Sequence, residues 1–569
     1  MKMKNIVCGL IASLSLPFVA CNDLDLYPLS QPSNETWYTS KTELEMSLND
    51  GYRMVFWWVD DPDADAKYTD DWVYRNGVSS IVNGTLTGQN GDVNNLWTLQ
   101  YKAIARANLV LENLDRAGEL GLSDADCKQY GAEARFLRAC RYMSLITHFG
   151  DVPYVENAVD LEIAFSMGRT PIAEILPKIY ADFDAAIEGL PVSYPKSSPQ
   201  RATKGAALAM KARLALYMGD YAQCAEASKA CMDLGIYQLH ADFSDLFLPS
   251  TKNSEESIFL LPRSIDLGVT FEGNAVKNII TRNAGGYAAR DPSWDLLAAF
   301  ICTDGLPIDE SPLFDPHNPF ANRDPRCSAT IVPFNTEHLG YEYDPHPHTV
   351  EVINYMTGQM VKNNDSRVNA QYASFNALVW KKGVDISWTQ NGYKIDPDLI
   401  IIRYADILLM YAEAKIELNQ IDQSVLDAIN SVRARAYKVD KTAVDQYPAV
   451  TTTNQKELRK TIRFERRMEF AKEGLRYMDL IRWKLATKAL SGKNNYGILY
   501  PYPEERLADW FWPITPEIDD DAIADFTELE KMGAATILST RNWNDRQYLW
   551  PIPTKEILIN ENLKQNPGY

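Results

Sequence analysis

The sequence predicts a mainly α-helical protein in which pairs of helices pack into one globular body around a long loop-rich segment. In two stretches apolar residues recur at steps of three and four, and between them proline, glycine and asparagine accumulate. That spacing places apolar side chains on one face of an α-helix, whereas a segment dense in proline cannot form long helices. With 46% hydrophobic residues among 569, the chain can bury a large core. A disordered or disulfide-stapled protein is therefore excluded.

The first helical stretch covers about residues 95–235. Apolar residues beginning at Trp97 recur at helical spacing, and the same steps return from Ala132 to Ile146. Two alanine-rich helices are predicted over 203–218 and 221–234, separated by a very short turn. Small residues at such a seam let two helices approach closely. The sequence therefore predicts tetratricopeptide-like helical pairs.

The middle of the chain, about residues 240–397, is predicted to be rich in loops. Nine prolines fall between Asp291 and Val350, a density that excludes regular helices. Helical periodicity returns over about 400–485. Long ordered loops on a rigid scaffold usually carry function. We therefore expect the ligand and the partner to bind residues of about 50–95 and 240–397.

The N-terminus predicts a secreted, lipid-anchored protein. Two lysines precede an apolar run from Ile6 to Ala20, and its fifteen residues are too few for a spanning helix of about twenty. The segment from Phe18 to Cys21 resembles a bacterial lipobox. We therefore expect residues 1–20 to be a signal peptide, Cys21 to be lipidated, and residues 21–569 to form one domain. The alternative is an ordinary cleaved signal with an incidental cysteine.

The charge balance excludes a nucleic-acid-binding protein. The chain has 57 basic and 76 acidic residues, for a net charge of −19, whereas nucleic-acid binding needs a basic domain. An anionic polysaccharide remains compatible, because a local basic pocket can lie on an acidic surface. The eight cysteines contain no CxxC pair, so neither a zinc ribbon nor a thioredoxin-like site is predicted. We expect mostly buried thiols.

Several short motifs occur in a fixed order along nearly the whole chain. They are Ala132–Ala139, Phe149–Pro153, Asp304-Gly305, Arg323–Arg326, Arg403–Asp406, Glu465–Phe470, Asp479–Trp483, Leu549–Pro553 and Gln565–Tyr569. Together, behind a lipobox, these motifs resemble the SusD/RagB family of surface glycan-binding lipoproteins of Bacteroidetes. The acidic and basic residues of Glu465–Arg482 lie three or four apart, which predicts a structural ion-pair network.

The resemblance implies a binding protein, not an enzyme. The chain would bind an oligosaccharide at the outer cell surface and deliver it to a SusC-like TonB-dependent transporter. Asp23 and Asp25, just after Cys21, resemble the acidic signal that exports such lipoproteins to the exterior face of the outer membrane. A secreted glycoside hydrolase on a helical scaffold and a helical-repeat adaptor for proteins remain the alternatives. No GxSxG, HExxH, Walker-A or GxGxxG motif is present.

The resemblance also implies where the ligand binds. In the family, aromatic residues from comparable loops hold the ligand together with an arginine and an amide. Flat apolar rings suit the C–H faces of sugars, and a few fixed polar groups suit the hydroxyls. Packing in the core is the alternative for Trp97. Trp294 is expected in the core. The implied ligand-binding residues are Trp72, Arg75, Trp97, Gln100 and Tyr287.

No cofactor or metal site is predicted. Asp61, Asp63 and Asp65 fit the first three ligand positions of a calcium-binding EF-hand loop, but its glycine and closing glutamate are missing. A solvated acidic loop is therefore favoured over a calcium site. His346 and His348 supply two imidazoles without a third nearby ligand, which is too few for a metal site.

Overall fold

The computed structural model describes residues 37–57, 66–195, 200–498 and 504–569. The predicted mainly α-helical fold is confirmed. The helices are α1 Lys41–Asp50, α2 Gly91–Glu112, α3 Leu114–Glu119, α4 Asp124–Phe149, α5 Leu161–Ala164, α6 Ile172–Gly189, α7 Lys204–Met218, α8 Tyr221–Met232, α9 Asn274–Lys277, α10 Trp294–Ala299, α11 Pro325–Thr330, α12 Tyr404–Glu417, α13 Gln423–Ala436, α14 Gln455–Glu469, α15 Arg476–Arg482, α16 Ala486–Leu490, α17 Thr527–Lys531 and α18 Thr554–Ile559.

The strands are short and mostly paired in twos, and only β5, β6, β7 and β8 form a larger sheet, in that order. They are β1 Trp72–Tyr74, β2 Ser257–Leu261, β3 Phe271–Glu272, β4 Arg290–Pro292, β5 Thr336–His338, β6 Tyr341–Tyr343, β7 Glu351–Asn354, β8 Gln359–Lys362, β9 Lys394–Ile395, β10 Leu399–Arg403, β11 Asn494–Gly497, β12 Glu517–Ile518, β13 Ala524–Asp525 and β14 Thr536–Thr540.

Some sequence predictions lie outside the described residues. These are the signal peptide over residues 1–20, the lipidated Cys21, and the acidic run that contains Asp61, Asp63 and Asp65. Among the helices that the structure describes, none has both the length and the apolar character that a bilayer crossing requires.

The long helices form a row in which each packs against its neighbours. Helix α4 lies between α2 and α6, α7 lies between α6 and α8, and α12 continues the row against α8 and α13. The alanines of α7 are buried, so the helices beside it approach closely. Gly219 ends α7 in a left-handed conformation with φ of 75°, and the Asp220 side chain caps the next helix by accepting from the Gln223 N–H.

The buried apolar residues that the structure describes form two large clusters and two smaller ones, the smallest made of Ala288, Val332, Tyr343 and Val379. The first lies within the helical row, and the second lies beneath the loop-rich middle, around Trp294, Trp380 and Trp512. The third joins α12, α13 and α14. Trp294 has 1% of its surface exposed, as expected. Of the described cysteines, five are buried and Cys127 is partly exposed, and all are free thiols.

A buried ion-pair network surrounds the end of α14. The carboxylate of Glu469 contacts Arg326 Nη1 at 2.9 Å and Arg403 Nη1 at 2.7 Å, and it also pairs with Arg435. Burial alone would raise the pKa of Glu469, but the charges of Arg435, Arg403 and Arg326 outweigh burial and hold it well below its ordinary value. The predicted structural network is therefore present, and it reaches well beyond α14.

Replacement of Glu469 by glutamine is expected to lower the free energy of unfolding by about 3–5 kcal/mol, because it leaves buried guanidinium groups without their shared counter-charge. Urea denaturation at pH 7 measures the loss. The control is Glu528→Gln, whose carboxylate is exposed and pairs with Lys531. That change should cost no more than about 1 kcal/mol.

The difference in stability between the wild type and Glu469→Gln is predicted to depend on pH. Because the folded pKa of Glu469 lies below its ordinary value of 4.5, its contribution is complete above that pH and declines as the pH falls. The stability gap between wild type and Glu469→Gln should therefore narrow between pH 7 and about pH 3. A constant gap, or none at pH 7, would contradict the assignment.

Candidate ligand-binding surface

A second set of buried ion pairs, next to the network around Glu469, positions the start of β1. Asp70 and Asp71 immediately precede this strand, and Arg476 Nη2 and Arg467 Nη2 contact their carboxylates at 2.8 and 2.6 Å. The main chain of Asp71 also accepts a hydrogen bond from the Ser293 N–H, at 3.0 Å. Strand β1 then pairs antiparallel with β4. Two segments more than two hundred residues apart are thereby held side by side.

Arg75 joins three segments just beyond this strand pair. Its backbone N–H donates to the Ala289 carbonyl at 3.1 Å. Its Nη1 donates to the carbonyl oxygens of Tyr287 and Tyr372, each at 2.9 Å. The structure therefore brings together two of the residues that the sequence implies, Arg75 and Tyr287, and adds the segment around Tyr372.

Four aromatic residues lie at or beside Arg75: the rings of Tyr372 and Phe375 lie over its guanidinium, Tyr74 precedes it in the chain, and Tyr287 accepts its hydrogen bond through the backbone carbonyl. We call them, with Arg75, the aromatic surface: Tyr74, Tyr287, Tyr372 and Phe375. Tyr372 has 53% of its surface exposed, and the other three rings are partly exposed. The Arg75 Cζ lies 5.3 Å from the centroid of the Tyr372 ring and 6.0 Å from that of Phe375. At such distances the cation attracts the ring faces and helps to hold them in place.

The turn before Tyr287 depends on two glycines for internal packing. Gly285 has a φ of +87°, and a side chain there would lie 2.2 Å from the Tyr393 hydroxyl. A Cβ on Gly286 would lie 2.2 Å from the carbonyl oxygen of Ile280. The two glycines therefore let this turn pack closely against Tyr393 and Ile280, and this packing sets the position of Tyr287.

The other three residues of the implied set are buried. Trp97 has 4% of its surface exposed and packs edge-to-face against Phe149, with ring centroids 5.1 Å apart. Trp72 is 7% exposed, and Gln100 is 1% exposed and donates to the Phe56 carbonyl at 3.1 Å. A buried ring has no face for a sugar, so Trp72 and Trp97 are core residues. They and Gln100 are removed from the candidate surface.

Residue-level reasoning missed Tyr372 and Phe375. Both lie in a polar loop rich in asparagine and serine, where neither residue belongs to the apolar repeat of a helix or strand. Isolated aromatic residues in a polar loop were therefore the signal that could have identified them as candidates. Their approach to Arg75 depends on hydrogen bonds across almost three hundred residues, which the sequence pattern does not show.

Two family models match the chain. One, described as the SusD family, matches residues 256–569, which is more than half of the chain. The other, described as starch-binding and associating with the outer membrane, matches residues 45–216. The chain belongs to the SusD/RagB family. The resemblance seen in its motifs is thereby confirmed.

Individual SusD-like proteins are similar to this chain, some over almost the whole length and others over part of it. A SusD-like protein of Formosa agariphila is 24% identical over 587 residues and is matched over 98% of both chains. The starch-binding protein SusD of Bacteroides thetaiotaomicron is 30% identical over 176 residues, 29% of this chain and 28% of that protein. The crystal structure of a SusD-like carbohydrate binding protein from Bacteroides fragilis superposes with a TM-score of 0.76 at 29% identity, over 93% of this chain and all of that one.

This SusD/RagB protein also contains a cavity of about 280 Å³ that opens to solvent. It lies between α2, α4, α7, β10 and the loop after α14, and its walls include Trp57, Gln100 and Arg141. Neither Arg75 nor Tyr287 lines it. Pockets that enclose drug-sized ligands measure about 300–1,000 Å³. The cavity is therefore at the lower end of this range, and it is separate from the aromatic surface.

Arg141 is a buried cation without a counter-charge on this cavity wall. It is 1% exposed, and its guanidinium stacks on Trp57 with Cζ 3.7 Å from the ring centroid. Its Nη1 donates to the Phe56 carbonyl. Among the described residues, no carboxylate forms an ion pair with it. Burial lowers the pKa of Arg141 to about 10, as expected for a cation in an apolar setting.

Among the described residues, neither the aromatic surface nor the cavity has a cluster of metal-ligating side chains. The His346 and His348 rings lie 5.6 Å apart. Within the ranges that the structure describes, no group of three His, Cys, Asp or Glu side chains is arranged to hold an ion.

Replacement of Arg141 by methionine is expected to raise the free energy of unfolding by about 1 kcal/mol or more. Its bond to the Phe56 carbonyl is worth about 1 kcal/mol, less than the several kcal/mol that burying an unpaired charge costs. Urea denaturation measures the change. In the matched variant Arg326→Met, a guanidinium paired with Asp324, Glu465 and Glu469 is lost, and a loss of about 3–5 kcal/mol is expected. Equal losses in both variants would contradict this account.

Proposed function

We propose that the chain binds an oligosaccharide on the aromatic surface, leaves it uncleaved, and delivers it to a SusC-like TonB-dependent transporter. The observation that carries this proposal is the guanidinium of Arg75, which joins three segments through the carbonyl oxygens of Tyr287 and Tyr372 and lies against the rings of Tyr372 and Phe375. Rings held in place before the ligand arrives bind it without a further loss of side-chain entropy.

The relatives support a carbohydrate as the ligand. The protein from Bacteroides thetaiotaomicron is named as starch-binding, and the protein from Bacteroides fragilis as carbohydrate binding. The second family model is described as associating with the outer membrane. We extend these descriptions to this chain, with a lipid on Cys21 as its anchor on the exterior face.

The carboxylates beneath the aromatic surface favour binding over hydrolysis. Asp291 and Asp365 are 3% and 2% exposed. The Asp291 carboxylate accepts from the Ser374 hydroxyl at 3.1 Å, and that of Asp365 accepts from the backbone N–H groups of Arg282 and Asn283. A glycosidase needs two carboxylates that reach the scissile bond, and these two are directed into the fold.

Tyr372→Ala and Tyr287→Ala are each expected to weaken glycan binding about five- to thirtyfold, a change of about 1–2 kcal/mol, without changing the melting temperature by more than a few degrees. Affinity electrophoresis against a glycan panel selects the ligand, and calorimetry then measures its affinity. Phe165→Ala is the control, since this exposed ring lies on another segment. Unchanged affinity in both tyrosine variants would contradict the assigned surface, and shorter glycan products after incubation would contradict binding without cleavage.

A tagged form of the chain is expected to recover a TonB-dependent transporter from solubilised outer membranes. Replacement of Cys21 by serine should move the protein from the membrane fraction to the soluble fraction, because the lipid attachment is lost. Mass spectrometry of the recovered proteins and fractionation of both forms measure these outcomes. A Cys21→Ser protein that stays in the membrane fraction, or a pull-down without a transporter, would contradict this part of the proposal.

A further inference from the structure

We propose that the cavity between α2, α4 and α7 binds a small organic acid, whose carboxylate pairs with Arg141 and whose apolar remainder fills the space beside it. This site lies apart from the aromatic surface, and the inference does not depend on the proposed function. It starts from Arg141, which lines the cavity and has no carboxylate partner among the described residues.

Two guanidinium nitrogens of Arg141 are unsatisfied. Its Nη1 donates to the Phe56 carbonyl and lies 3.5 Å from Gln100 Oε1. Its Nε and Nη2 are buried and have no hydrogen-bond partner in the part of the chain that the structure describes. These two nitrogens share one edge of the planar group, and that edge can donate to both oxygens of one carboxylate.

Other buried arginines of the chain show what this edge does beside a carboxylate. Arg138, three residues earlier on α4, donates from Nε and Nη2 to the two Asp182 oxygens, each at 2.8 Å. Arg476 binds Asp70 through the same edge, at 2.9 and 2.8 Å. The fold supplies the carboxylate for these two arginines. At Arg141 a ligand would supply it.

Arg141 lies on the face of α4 that lines the cavity. Ser144, Thr147 and His148 follow it at helical spacing and line the same wall. The ring of Trp57, also in the wall, covers one face of the guanidinium, with Cζ 3.7 Å from the ring centroid. The group is thereby held in one plane before a ligand enters, which lowers the entropy that binding costs.

The other charged side chains of the wall have partners within the protein. Lys472 donates to the carbonyl oxygen of Lys382 at 2.9 Å. His148 is neutral at pH 7, because burial lowers its pKa to about 4. The two carboxylates of the wall, each beside a cation, therefore oppose a bound acid only weakly. The ion pairs of the wall are Arg213–Asp406, Lys382–Glu473 and Asp398–Lys252, with N–O distances of 2.7, 2.5 and 3.6 Å.

The size and lining of the cavity indicate the rest of the ligand. Its volume is about 280 Å³, and a cavity of about 150 Å³ is enough for benzene. The space thus accommodates a ring with a short carboxylate arm. Apolar walls disfavour hydroxyl groups, which lose their hydrogen bonds to water there, so we expect an aromatic or similarly apolar acid. The apolar side chains of the wall include Met143, Met210, Phe247, Phe271 and Trp388.

The experiment compares acids with their neutral counterparts. Benzoate, phenylacetate and 3-phenylpropionate are each paired with the corresponding amide, which keeps the ring and removes the charge. Acetate keeps the charge and removes the ring. Calorimetry at pH 7 should show at least one aromatic acid binding about tenfold or more tightly than both its amide and acetate. The same acid should raise the melting temperature, because it binds the folded state.

Variants test whether Arg141 provides the selectivity. Arg141→Met should weaken binding of the acid about tenfold or more and leave binding of the amide unchanged, because only the charge pair is lost. Arg141→Lys keeps the charge without the paired edge, so an intermediate affinity is expected. Arg53→Gln is the control, since it removes a positive charge from an exposed side chain that pairs with Asp50. Melting temperatures verify that each variant folds.

The inference is overturned if no aromatic acid binds at concentrations up to about 1 mM, if acids and amides bind equally, or if Arg141→Met binds the acid as tightly as wild type. Equal binding of acetate or chloride would also overturn it, because the wall would then accept any small anion. If Arg141→Met fails to fold, the comparison of acids with amides in the wild type still decides. None of these results changes the test of glycan binding on the aromatic surface.

Discussion

The contact on which the rest of this structure depends is the ion-pair network around Glu469. It joins α14 to β10, α13 and α11 through Arg403, Arg435 and Arg326. Ions in a protein interior cost several kcal/mol each unless every partner is in place, so this network tolerates few arrangements of the chain. A neighbouring set of buried ion pairs, made by Arg467 of α14 and Arg476 of α15, holds Asp70 and Asp71, which lie immediately before β1. The position of the candidate surface thus depends on ion pairs in the core.

The molecule uses arginine in two different ways. In the network around Glu469, each guanidinium is matched by carboxylates, and the group serves stability. At the aromatic surface, the guanidinium of Arg75 donates instead to the carbonyl oxygens of Tyr287 and Tyr372, and the group serves to join distant segments.

The site was only partly visible in the amino-acid sequence. Arg75 and Tyr287 were implied by the family resemblance, and a single guanidinium joins them. Trp97 stands at the start of a helical stripe, and whether such a residue is buried or exposed depends on the element that packs against it, here Phe149. Tyr372 reaches the surface through a carbonyl contact with a strand end almost three hundred residues away, and no local pattern encodes that contact.

Local chemistry accounts for what could be read directly from the residues: the helical pairs, the loop-rich middle and the charged stretch around α14. These features arise from periodicity, turn propensity and charge spacing, which act over a few neighbouring positions. Which aromatic rings are buried, and which groups each described arginine contacts, was decided only when distant segments packed together. Burial and electrostatic pairing are properties of the neighbours in space, and the neighbours of Arg75 come from segments that the chain brings together only on folding.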